Sequence, residues 1–172
     1  MNNTHDDQVK HYSELFRKHP DEPMAVSSES AVHKRVRFDQ IAGLFKNESE
    51  PFTLHDVGMG MAHYWKYLQE YHPDLDVTYS GTEVVPEYHS YCERSYPDMT
   101  FALRDLAEAP GDDMYDYVIL SGVFHQMRNS KRRDWEQFAY AILENSFAMC
   151  RKGMAFNFIS PFVDFYQTEV YY

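Results

Sequence analysis

The segment that most constrains this chain is Asp56-Val57-Gly58-Met59-Gly60-Met61-Ala62. It follows the run Phe52-Thr53-Leu54-His55-Asp56-Val57 and precedes a stretch of helical periodicity, so it marks a strand handing over to a helix. Small residues at i, i+2 and i+4 let the backbone come close to a bound molecule. The Asp56 carboxylate can attract a cationic group such as an α-ammonium, or accept hydrogen bonds. A dinucleotide fingerprint would place glycine at i, i+2 and i+5, but position 63 is histidine, which obstructs a pyrophosphate and disfavours nicotinamide cofactors. An ordinary tight βα loop can carry the same glycines, so the turn needs a second feature to become a site.

The pattern along the chain supplies the frame. Before the turn, two helices are expected over about 7–18 and 29–45, separated by His19-Pro20-Asp21-Glu22-Pro23, and they read as a cap over residues 1–48. From Pro51, short β-rich runs alternate with amphipathic stretches, as βαβ units around a parallel sheet do. After the first strand come a helix from about 61 to 71, a strand over Asp76 to Thr82, and a helix from Pro86 to Tyr96. A third strand covers Met99 to Arg104. Tyr117-Val118-Ile119-Leu120 reads as a central strand buried on both faces. A long helix over roughly 131–151 shows Trp135, Phe138, Ala139, Ile142, Leu143 and Phe147 on its apolar side and takes Gly153 as its stop. The fifth strand is Met154 to Ile159. These 172 residues are expected to form a single domain, with residues 51–160 as its Rossmann-like core.

The second feature is Glu83, at the end of the second strand and 23 residues beyond Gly60. An acid there in a doubly wound sheet lies beside the glycine turn and can accept both hydroxyls of a ribose. Four segments in this order resemble the class I S-adenosylmethionine-dependent methyltransferases, over about residues 51–160. They are Asp56-Val57-Gly58-x-Gly60, Tyr79-Ser80-Gly81-Thr82-Glu83-x-x-Pro86-Glu87, Arg104-Asp105-Leu106, and the run from Tyr115 to His125. The resemblance implies a Rossmann-like three-layer α/β/α sandwich with a mainly parallel sheet of order 3-2-1-4-5. It also implies S-adenosylmethionine as cofactor and S-adenosylhomocysteine as product. By it, Asp56, Gly58 and Gly60 line the methionine part, Glu83 takes the ribose, and Val84 lies against the adenine. Asp105 and Leu106 meet the adenine edge, and Ser121 lies near the sulfonium.

Three departures stand out. Met59 and Met61 replace the usual small or polar residues of the turn, the third glycine is Ala62, and the family's strands six and seven are absent. That last departure fits a shortened form, or an exposed strand-five edge that pairs with another subunit as a homodimer; the sequence leaves both open.

Methyl transfer from a sulfonium needs orientation and exclusion of water, with a general base only where the acceptor must lose a proton. His125, just past the fourth strand, is the candidate base, although a loop histidine can also merely pack or cap. His63 could reach the cofactor carboxylate or the acceptor, and His55 reads as a satisfied core histidine. Arg37 could clamp a carboxylate or lie on a solvated helix face. The clusters Lys34, Arg35 and Arg37, and Arg128, Lys131, Arg132 and Arg133, read as solvated faces or anion contacts. Aromatics such as Tyr64, Trp65, Phe124, Phe158, Phe162 and Tyr166 could wall an acceptor pocket or belong to the core.

A net charge of −11 opposes nucleic-acid binding, so a small-molecule acceptor is expected. No apolar run approaches the roughly 20 residues that cross a bilayer, and a cytoplasmic protein with no membrane partner follows. Cys92 and Cys150, both expected in helices, read as free thiols, and the histidine spacing offers no metal site. Three other readings stay open: a non-catalytic cofactor-binding or partner subunit, a nucleotide-binding protein, and an enzyme that uses the cofactor without transferring a methyl group.

Overall fold

The computed structural model describes residues 3–20 and 31–172. The turn residues Asp21, Glu22 and Pro23 and the expected start of the second helix at 29 lie outside them. The described helices are α1 (Asn3–Lys18), α2 (Ala31–Ala42), α3 (His63–Tyr71), α4 (Pro86–Ser95) and α5 (Arg132–Ala148). The strands are β1 (Phe52–Val57), β2 (Val77–Glu83), β3 (Thr100–Leu103), β4 (Tyr115–Leu120) and β5 (Cys150–Phe156).

All neighbouring strands pair in parallel, in the order β3-β2-β1-β4-β5. This is the expected order, and it reverses direction between β1 and β4, which places a crevice over their carboxyl ends. Val118, Ile119 and Leu120 have no exposed surface, as a strand covered on both faces requires. His55 in β1 is the satisfied core histidine the sequence suggested. Its ring meets the Ser80 and Thr82 hydroxyls, and burial, then the charge of Arg104, pushes its pKa down to about 4.

Two apolar clusters sandwich the sheet. One joins Phe38, Ile41 and Phe45 from α2 and the turn after it to Tyr64, Tyr67 and Leu68 of α3; the other joins Val57, Leu106 and Phe124 to Trp135, Phe138 and Ile142 of α5.

The last third of the chain differs from expectation in three respects. α5 stops at Ala148, and Gly153 is a strand residue of β5 paired with Tyr117 instead of a helix stop. A Cβ there would lie 2.9 Å from Leu44 Cδ1, so the glycine admits the turn after α2 against the sheet. Phe147 is 66% exposed, because twelve residues beyond Trp135 is about 120° around a helix and off the buried stripe. Cys150 opens β5 instead of closing a helix, whereas Cys92 does lie in α4. Among the described residues the sheet gains no strand beyond β5. Residues 157–172 are irregular apart from one antiparallel bridge between Gln126 and Val170.

Candidate cofactor and acceptor site

β1 ends in a turn whose conformation explains its glycines. Gly58 and Gly60 have φ of 67° and 56°, the left-handed region that glycine enters without strain. A Cβ on Gly58 would also fall 2.9 Å from Val123 Cγ2. The turn is pinned to β2, since Gly58 N–H donates to the Thr82 carbonyl at 2.8 Å. Ala62 caps α3 at φ 53°, left-handed without being glycine.

Glu83 closes the site from β2. Its Oε2 accepts from Gly60 N–H at 2.9 Å, and its Oε1 accepts from Val84 and Val85 N–H at 2.7 and 3.0 Å. Burial pushes its pKa up, and the three amides pull the other way. Asp56 is buried one strand away, where it accepts from Tyr79 O–H at 2.7 Å. Burial raises its pKa to about 7, opposed by the Tyr79 hydrogen bond and the charge of Arg37 and reinforced by Glu83.

A cavity of about 870 Å³ lies over these residues, within the usual range for small-molecule and cofactor sites. Asp56, Gly58, Gly60, Glu83, Val84, Asp105, Leu106, Ser121 and His125 all line it. Four loops separated by tens of residues in sequence thus converge on one space.

Several features go beyond the sequence reading. Arg37 does not lie on a solvated face: it lines the cavity, and its Nε donates to Ser121 Oγ at 3.0 Å. Lys34, one turn earlier, lines the cavity as well, while Arg35 turns away to pair with Asp39 at 2.7 Å. Arg128 pairs with Glu169 and Arg132 with Glu136. His63 lines the cavity with a pKa of about 4, lowered by burial and then by Lys34, so its ring is neutral. Trp65 is not among the lining residues, whereas Tyr64 is, and the buried Tyr64 hydroxyl has no partner within the protein.

His125 is held by a residue that sequence reasoning missed. Asn157, just past β5, accepts from Gly122 N–H through Oδ1 at 2.8 Å and donates through Nδ2 to His125 Nε2 at 2.7 Å. The only signal was a polar residue at the carboxyl end of an apolar strand.

α1 roofs the crevice: His5 Nδ1 lies 2.6 Å from Asp105 Oδ2, and Gln8 Nε2 donates to the Gln126 carbonyl at 2.8 Å.

No protein-family model matches the chain. It is 28% identical over 123 residues to "Putative methyltransferase Rv1506c" of Mycobacterium tuberculosis, covering 69% of each chain. Among solved structures it is similar to the N-methyltransferase NodS from Bradyrhizobium japonicum in complex with S-adenosylhomocysteine, with a TM-score of 0.61 and 13% identity over 90% of this chain and 72% of that one. A complex of DhpI with SAM and HEP gives a TM-score of 0.59 at 14% identity, over 91% of this chain and 66% of that one. The mycolic acid cyclopropane synthase CmaA1 complexed with S-adenosylhomocysteine gives 0.56 at 15% identity, over 87% of this chain and 57% of that one. The chain therefore spans about three fifths to three quarters of the length of these proteins.

Proposed function

We propose that this chain, which has the fold of the class I methyltransferases, binds S-adenosylmethionine and transfers its methyl group to a small-molecule acceptor. The observation that carries the reading is the convergence of Asp56, Gly58, Gly60, Glu83, Val84, Asp105, Leu106 and Ser121 on one cavity at the reversal point of the sheet. The curated relative's name and the cofactor complexes of the structural neighbours support it.

The residues present fit the cofactor. Asp56 and Arg37 put a carboxylate and a guanidinium on the same cavity, a complementary pair for the ammonium and carboxylate of an amino acid. Gly58 and Gly60 bring backbone up to that end. Glu83 uses three of its roughly four lone-pair sites on amides, and Oε2 retains capacity for a ribose hydroxyl.

The cofactor supplies an electrophilic methyl on a sulfonium, and the protein's task is alignment and dryness. Gln8 and Tyr12 of α1 and Ile159, Phe162 and Val170 of the C-terminal stretch line the cavity from above. His125 faces the acceptor as a candidate base. With Nε2 taken by Asn157, its ring carries a proton on Nδ1, so it accepts the acceptor's proton only once that amide turns aside.

Calorimetric titration with S-adenosylmethionine and S-adenosylhomocysteine tests the reading. Wild type is expected to bind both, and Glu83→Ala to bind at least tenfold more weakly. A wild-type protein that binds neither sinks the proposal.

A further inference from the structure

Resting on that reading, we infer that Ser121 and Gly122, just past β4, form a seat that aims Arg37 at the carboxylate of the cofactor's amino-acid end, which makes Ser121 a positioning residue for cofactor selectivity. The Arg37 side chain reaches them from α2, and its Nε donates to Ser121 Oγ at 3.0 Å. A Cβ placed on Gly122 would lie 3.6 Å from Arg37 Cζ, 3.6 Å from Nη2 and 3.8 Å from Nη1. Near-equal distances to those three atoms mean that the guanidinium lies face-on to the glycine. With Nε on Ser121 and one face on Gly122, the orientation of the group is set, and its Nη1–Nη2 edge is the fork that can meet a carboxylate with two parallel hydrogen bonds.

The seat is itself held from both sides. Gly122 has φ of 82°, in the left-handed region that glycine enters without strain, and its N–H donates to Asn157 Oδ1 at 2.8 Å, which ties the loop to the end of β5. On the helix, Phe38 is buried and packs edge-on against Tyr64 with ring centroids 5.0 Å apart, fixing the way its neighbour Arg37 faces. Arg35 makes the contrast: it pairs with Asp39 at 2.7 Å and stacks 3.4 Å over the Tyr71 ring, so the helix alone does not decide where its arginines point.

Arg37, Ser121 and Gly122 line the cavity together with Asp56. An amino acid carries one cationic and one anionic group on a single carbon, and Asp56 complements only the first. A ligand with the adenosine and the amine but no carboxylate would engage Asp56 and Glu83 and meet the guanidinium with nothing, so Arg37 separates the two kinds of ligand in proportion to how well it is aimed. Holding a long side chain in one orientation before the ligand arrives also lowers the ordering cost of binding. Ser121 therefore acts through Arg37, and its effect is confined to ligands that carry the carboxylate.

The test titrates S-adenosylhomocysteine and its decarboxylated analogue, which keeps the adenosine, the thioether and the amine, into wild type, Ser121→Ala, Ser121→Thr, Arg37→Met and the double variant Ser121→Ala with Arg37→Met. Wild type is expected to prefer S-adenosylhomocysteine. Ser121→Ala should weaken it about tenfold and leave the analogue unchanged, while Ser121→Thr, which keeps a hydroxyl, should recover most of the loss. Without Arg37 the Ser121 substitution should have no further effect. An equal loss for both ligands in Ser121→Ala overturns the inference, since it would mark a direct contact or a loop effect, and so does a Ser121 effect that persists undiminished in the Arg37 variant, or a wild type that binds the two ligands alike. Should Ser121→Ala fail to fold, Ser121→Cys, which keeps the volume and weakens the acceptor, is judged by the same outcomes. Absence of binding of either ligand to wild type would instead overturn the cofactor reading itself.

Discussion

Asp56 shows how a single residue of this site couples binding to stability. Its carboxyl is buried beside Tyr79, and burial raises its pKa from 3.8 to about 7. Between those values the folded protein holds a proton that the unfolded chain releases. Stability therefore falls as pH rises through that window, and the cost is fully present above pH 7. Asp56→Asn removes the titration and keeps a partner for Tyr79. Its advantage over wild type in urea unfolding is expected to grow by about 2 to 3 kcal/mol between pH 5 and pH 8. A gap that stays constant with pH would show that Asp56 is not the titrating group. Function runs the other way, because an ammonium group needs the carboxylate: wild-type affinity for S-adenosylhomocysteine should rise with pH and level off above about 7, while the variant binds weakly at both ends.

At the scale of elements, the turn after β1 depends on a residue of its neighbour. β1 and β2 pair Asp56 with Gly81, and a Cβ on Gly81 would lie 2.4 Å from Met59 Sδ and 3.1 Å from both Met59 Cβ and the Asp56 carbonyl. Met59, an unusual residue for such a turn, is accommodated because β2 offers a glycine beneath it. Gly81→Ala is expected to cost about 1 to 3 kcal/mol through overpacking and to weaken cofactor binding by displacing Gly58 and Gly60. Adding Met59→Ala should restore part of both losses, and strictly additive effects would show that the two positions do not touch. This pairing was invisible in the sequence, although β1 to β4 were legible as short β-rich runs and the strand order followed from the family resemblance. The α5–β5 junction was not legible. A glycine after a helical run looks like a stop, and only the approach of Leu44 from the far side of the sheet shows that Gly153 belongs to the strand. The placement of the candidate residues at the strand ends, around one cavity, could be read because their register to the sheet is local. Asn157 could not, because its role depends on which distant element lies opposite, and Arg37 could be read only as a clamp or a solvated residue.

The molecule as a whole closes its site with segments far apart in the chain. α1 buries Thr4, Gln8 and Ser13 against the core, and Ser13 donates to Glu87 Oε2 at 2.8 Å. Gln8 reaches the loop after β4, and that loop is bound from the other side by Tyr171, whose N–H donates to the His125 carbonyl at 3.0 Å. The floor of the cavity is thus a parallel sheet, whereas its roof is a helix and an irregular stretch held by a few polar contacts and by the aromatic packing of Tyr12, Phe16 and Tyr171, the part of a fold that opens most readily. A ligand that touches both floor and roof should report on that difference. S-adenosylhomocysteine at a hundred times its Kd stabilises the folded state by about 2.7 kcal/mol, which for a chain of this size raises Tm by roughly 5 to 11 °C. If α1 is part of the site, hydrogen exchange of the amides in residues 3–18 should slow along with that rise, and slow more than in α3, whose packing against the sheet does not depend on the ligand. A rise in Tm with no change in α1 exchange would mean that the ligand binds the strand ends alone and that the helix above them is a cover it never meets.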